Sequence, residues 1–192
     1  MSTSSPEAGQ ISPDGQFRWD GQQWVPLAAG YREPTSWTRP LRMTVAAYLV
    51  VGVIYSIAGA AFYLNSASVE RAIRASGTTI PSDQLQQAVT ISVTVGWAFV
   101  LALSAISIVL AIGSYLGWRW AFWVTLVWLA FNAVGVLTNL NSLANPRVQA
   151  QPSAVIAGSL LLSLIALALF VWMLVAAVRY GPWAMRKPGA PT

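Results

Sequence analysis

"AVIAGSLLLSLIALALFVWMLVAAV", residues 154–178, runs through 25 positions without one charged side chain. About 20 predominantly apolar residues suffice to carry a helix across a hydrocarbon core ~30 Å thick. A buried helix of a water-soluble domain rarely runs so far without a charge, so the stretch reads as a transmembrane span. Three more blocks share its character: "LRMTVAAYLVVGVIYSIAGAAFYL" (41–64), "QAVTISVTVGWAFVLALSAISIVLAI" (87–112) and "RWAFWVTLVWLAFNAVGVLTNL" (119–140). The first has no charge after Arg42, the second has none, and the third only opens with Arg119. The expected fold is therefore an all-α membrane protein, a four-helix transmembrane bundle.

Composition agrees. The 192-residue chain is 56% hydrophobic and 9% charged, against roughly 25% charged in an ordinary soluble domain. Its formal charge of +5 is spread between apolar blocks and forms no basic stripe, so no nucleic-acid partner is expected. The lipid bilayer is the expected environment. Residues 1–40 contain no apolar core segment, so the first span is expected to act as the targeting signal.

The basic residues orient the spans. Arg39, Arg42, Arg119, Arg179, Arg186 and Lys187 fall on one side, whereas Arg71, Arg74 and Arg147 fall on the other, with Glu70 and Asp83 near the first two. Cytoplasmic loops carry the excess of Lys and Arg. Both termini are therefore expected in the cytoplasm. Trp37, Tyr115, Trp118, Trp120, Tyr180 and Trp183 fall on the same side, at the depth where amphipathic rings settle.

Between the spans the connections differ. "GSYLGW" (113–118) is a tight turn with two glycines. The segment 65–86 has helical spacing, with Val69 four before Ile73 and Glu70 four before Arg74. Span one is expected to continue as a helix to about Ser76, with Gly77 as the residue that stops it. Ser82 or Asp83 then starts the second span, with Gln86 as a capping-box partner. Pro152-Ser153 repeats the Pro81-Ser82 entry, though two residues establish no repeat.

Several chemistries are excluded by residue type. Cysteine and histidine are both absent. Disulfides, thiolate nucleophiles, imidazole ligands to zinc or haem and His general bases are therefore ruled out, as are palmitoyl and prenyl anchors. No ionisable side chain lies mid-span. Pumps, ion-coupled carriers and voltage sensors place such groups at membrane depth, and an intramembrane enzyme needs a carboxylate or His constellation there. No catalytic, metal or cofactor site is expected.

The one distinctive motif outside the spans is "SPDGQFRWDGQQWVPL" (12–27). Asp20-Gly21 is favoured in two-residue type I′ hairpin turns because both positions need positive φ. That turn would pair Trp19 with Gln22, Arg18 with Gln23 and Phe17 with Trp24. Phe17, Trp19 and Trp24 would share one face, the candidate docking face. An isolated hairpin is marginal in water. The aromatic face thus calls for cover, from the bilayer surface, the protein's own inner loop or another protein. Through Ser12, Pro13, Asp14, Gly15, Trp19, Asp20, Gly21, Trp24, Pro26 and Leu27 the segment resembles the short W-D-G hairpin modules, themselves of unknown function, near the ends of bacterial multi-span membrane proteins. The resemblance covers residues 12–27 and implies a bacterial plasma membrane and no particular activity.

The resulting domain plan is a disordered tail (1–11), the hairpin (12–27), a linker (28–40), the four-span domain (41–180) and a cytoplasmic tail (181–192). Within the spans, small and weakly polar residues recur at helical spacing. Ser56, Ser104, Asn132 and Ser163 are the candidate interior polar residues, with plain helix packing as the simpler reading. The expected function is a non-enzymatic accessory, assembly or scaffold component of a membrane complex. Its possible protein partner would dock through the hairpin, and a homo-oligomer is a further option. The alternatives are a small transporter or channel component lined by the polar residues, and an envelope sensor reading through 65–86.

Overall fold

A computed structural model describes residues 7–27, 32–75, 81–144 and 153–187. The expectations placed on Gly77 and Pro152 lie outside these residues. Among these residues four short strands, β1 (Phe17–Trp19), β2 (Trp24–Pro26), β3 (Glu33–Pro34) and β4 (Met185–Arg186), accompany five α-helices. The helices are α1 (Thr38–Tyr63), α2 (Ser66–Ala75), α3 (Ser82–Leu116), α4 (Arg119–Ala144) and α5 (Ser153–Arg179).

Helices α1, α3, α4 and α5 are long and apolar enough to cross a membrane. The shortest have 26 residues, about 39 Å at a rise of ~1.5 Å per residue. At most 28% of the most apolar window of any of them is buried within the chain. Isoleucine, valine, leucine and phenylalanine side chains such as Ile54, Phe62, Phe99, Phe131, Leu137 and Val178 point outward. Apolar surface on this scale is stable in lipid and not in water. The chain is a multi-pass membrane protein with an all-α fold and a small N-terminal hairpin.

The chain divides into two compact units. The larger, residues 42–172, holds the helical bundle. Helix α3 ends at Leu116 and α4 begins at Arg119, because Gly117 adopts φ 77° and its N–H and that of Trp118 return to the carbonyls of Ser114 and Gly113. A left-handed residue at this position ends a helix cheaply only when it is glycine. Close approach follows: a Cβ on Gly113 would lie 2.8 Å from the Ala121 Cβ. Ser114 and Thr125, both fully buried, meet at 3.5 Å across the α3–α4 seam. Tyr55 of α1 donates its hydroxyl to the Val155 carbonyl of α5 at 2.7 Å, and the Trp97 indole of α3 donates to the Leu64 carbonyl at 3.2 Å.

Span one does not continue to Ser76 as a single helix. It stops at Tyr63, and α2 begins at Ser66. Asn65 makes the break. Its Nδ2 donates to the Phe62 carbonyl at 2.9 Å, closing α1, and its Oδ1 accepts the Ser68 N–H at 3.0 Å, capping α2. One side chain thus satisfies groups at two helix ends. The Glu70–Arg74 pair does form, at 2.7 Å. The capping box expected from Ser82 or Asp83 falls on side chains outside the described ones; Pro81 stands at the cap position of α3 and makes no side-chain cap bond.

The smaller unit joins residues up to Leu41 with Met173 onward. Segments read as a free linker and tail are tied together here. Glu33 pairs with Arg186 and Pro34 with Met185 in an antiparallel ladder, so the chain enters α1 and leaves α5 on the same side. Thr35 and Thr38 both donate their hydroxyls to the Ala184 carbonyl, at 2.8 and 2.9 Å. Arg186 reaches Glu33 at 3.3 Å, and the Trp37 and Tyr180 rings meet edge-on at 5.6 Å. Gly181 at φ 94° opens a 3-10 turn, Pro182–Ala184, in which Trp183 is fully buried. Trp183 and Ala184 hold φ of 59° and 54°, a region costly for residues with a side chain; burial of the indole offsets that cost. Trp183 is therefore a core residue and not an interfacial anchor.

Candidate functional site

The structure presents two features with chemical character, one in each unit. The first is the hairpin. β1 and β2 pair antiparallel, but the register is Trp19 with Trp24, Arg18 with Val25 and Phe17 with Pro26. The two-residue turn is replaced by a loop, Asp20 to Gln23, because the Asp20 carboxylate takes the N–H groups of Gln22 and Gln23, both at 2.8 Å. This side-chain turn outcompetes the type I′ geometry. The register moves by two residues relative to expectation. A shift of two keeps every side chain on its original face, so Phe17, Trp19 and Trp24 still share one. Trp19 and Trp24 now stand directly opposite, their rings edge-on with centroids 5.4 Å apart.

Residues 9–11, read as the end of a disordered tail, extend this sheet together with Ser12. Gly9 and Ser12 donate their N–H groups to the carbonyls of Trp19 and Phe17, and Trp19 returns its own to Gln10. The Ser12 hydroxyl is bonded to Asp14, and Phe17 donates its N–H to Ser12 Oγ at 2.9 Å. The Ser12 hydroxyl and then the Gln16 N–H hold the Asp14 carboxyl below its ordinary value. The N–H groups of Gln23 and Gln22 do the same for Asp20. Phe17 and Trp19 are half-buried and Trp24 is 38% exposed. The aromatic face is formed and remains open to contact.

The second feature is a cavity of about 180 Å³ among α1, α3 and α4. Tyr48, Ser56, Ser104, Ser107, Trp128 and Asn132 supply its polar groups, and Leu49, Val53, Val100 and Leu103 its apolar walls. Ser56, Ser104 and Asn132, singled out separately in three spans, thus meet at one place. Ser163 does not join them. It packs against Gly135, where a Cβ would lie 2.5 Å from its Oγ, and accepts from Asn139 at 3.5 Å. Ser159 donates to the same asparagine at 2.6 Å. Ser163 belongs to the seam between α4 and α5, where small residues let helices approach. Sequence reading missed the cavity's Tyr48, a residue one helical turn before Gly52 on the α1 face that carries Ser56.

Among the described residues no group of three or more Asp or Glu could hold a metal ion. No family model, curated protein or solved structure matches this chain.

Proposed function

We propose that this protein is a non-enzymatic accessory or assembly component of a bacterial plasma-membrane complex, with both termini in the cytoplasm. The observation that carries the reading is the ordered hairpin with an open aromatic face, Phe17, Trp19 and Trp24. Large aromatics clustered on a rigid support are the residues that dominate protein contacts. The excess of Arg and Lys beside the ladder of β3 and β4 supports a cytoplasmic position for that face. The partner is the cytoplasmic surface of another membrane protein. Purification in mild detergent of the full chain beside a chain lacking residues 7–27 tests this. A defined set of membrane proteins recovered only with the full chain supports the proposal, and identical recovery with both chains refutes it.

A second reading, a solute-binding or conducting component, is favoured by the polar cavity. Its test is permeation of small neutral solutes into vesicles carrying the purified chain. A rate equal to that of empty vesicles would remove it.

A further inference from the structure

We infer that the cavity among α1, α3 and α4 is a binding site for one small uncharged molecule bearing hydroxyl or amide groups. The first ground is Ser104. It is 6% exposed, and its Oγ has no hydrogen-bond partner among the described residues. A buried hydroxyl without a partner costs about 1–3 kcal/mol, and serines and threonines in membrane helices ordinarily avoid this by bonding a carbonyl three or four residues back. Other hydroxyls of this chain do so: Thr90 to Gln86 at 2.9 Å, Thr138 to Gly135 at 3.1 Å and Ser142 to Thr138 at 2.9 Å. Ser104 instead lines the cavity, as do Tyr48, Ser56 and Ser107, none of whose hydroxyls is bonded to a described residue. Asn132 donates its Nδ2 to the Trp128 carbonyl at 2.7 Å, which leaves its Oδ1 to accept from an occupant.

The second ground is the character of the walls. Among the described residues no Asp, Glu, Lys or Arg lines the cavity. An ion placed there, in the middle third of three spans, would have no countercharge and a desolvation cost of several kcal/mol. A neutral molecule meets no such penalty. Hydroxyls both donate and accept, so alcohols and amides can each satisfy them. The volume, about 180 Å³, is below the 300 Å³ or so of drug-sized sites. It suits a molecule of a few heavy atoms, seated between the Trp128 ring and the aliphatic walls. The inference deepens the solute-binding reading and is independent of the accessory reading.

The test is titration of the full chain in nanodiscs by ligand-observed saturation-transfer NMR, with empty nanodiscs subtracted. The probes are 1,2-propanediol, acetamide and, as the charged match of acetamide, acetate. The expected result is saturable transfer to propanediol or acetamide and none to acetate. S104L fills the cavity and abolishes that transfer, while S104A, which keeps the shape and removes one hydrogen bond, weakens binding about fivefold. T90A, whose hydroxyl is bonded within its own helix, behaves as the unaltered chain. Absence of transfer to both neutral probes, as when water alone fills the cavity, overturns the inference, as does equal transfer with S104L and S104A. The vesicle assay reads transport and this titration reads occupancy, so the two fail separately.

Discussion

Across the hairpin, the Trp19 ring stands edge-on to the Trp24 ring, with centroids 5.4 Å apart and planes at 62°. Such pairs contribute about 0.5–1.5 kcal/mol beyond the area they bury. Replacing Trp19 by Ala should therefore loosen the hairpin and leave the spans intact, since their backbone bonds are internal. Amide exchange is the check. The N–H groups of Ser12, Leu27 and Asp20, all bonded within the small sheet, should exchange faster in the variant, with exchange in α3 and α4 unchanged.

The same sheet is acid-sensitive. Asp14 and Asp20 both have carboxyls lowered by the hydrogen bonds they accept. A lowered folded value means the stabilisation is fully present above the unfolded carboxylate range, about pH 4. It is lost as pH falls through the folded values. Protection of the Gln22 and Gln23 amides should be flat from pH 8 to about 5 and decline below about 4. In Asp20→Asn, which keeps an acceptor and removes the charge, part of that low-pH decline should disappear. Protection independent of pH down to 2 would contradict this assignment.

Gly117 supplies a third prediction. It holds φ 77°, and a Cβ there would overlap the Arg42 guanidinium. Gly117→Ala should destabilise the bundle by about 1–2 kcal/mol from the left-handed backbone alone, with Arg42 displaced as well. A thermal melt in detergent reads this, and an unchanged midpoint would refute it.

The β3–β4 ladder can be locked. The chain has no cysteine, so Glu33→Cys with Arg186→Cys introduces the only pair. Paired antiparallel positions lie within the reach of a disulfide. Mild oxidation should give an intramolecular bond in nearly all molecules, detected by a gel shift that reductant reverses. Failure to form it would contradict the pairing of the two chain ends.

Orientation is tested by labelling. A cysteine at Gln22 or Lys187 should react on intact cells only with a membrane-permeant reagent, and one at Arg71 should react with an impermeant one. The opposite pattern would invert the proposed topology.

The spans were legible because charge is so costly in hydrocarbon that its absence from residues 154–178 allows few other readings. The aromatic face was legible because a side-chain period of two survives a two-residue change of register. The register itself was not, since it turns on whether Asp20 bonds its own loop. Asn65 was missed for a related reason: a polar residue after an apolar run reads as the membrane boundary, and nothing local marks it as capping two helices. The pairing of 33–34 with 185–186 spans some 150 positions and leaves no local signature. Of the four interior polar candidates, spacing identified each face, but which faces meet is decided by helix rotation. That separates Ser163 from the other three.

The central claim is that the aromatic face of the hairpin is covered by a partner. Trp24 and Val25 make the direct comparison, since they are neighbours, 38% and 40% exposed, and point to opposite faces of the strand. A benzophenone amino acid replaces one or the other in the full chain, and cells that naturally make the protein are irradiated before lysis. The account predicts a discrete cross-linked species of higher mass, containing a second membrane protein, from position 24 and not from position 25. Cross-linking to that protein with equal yield from both positions, or from neither, would contradict it.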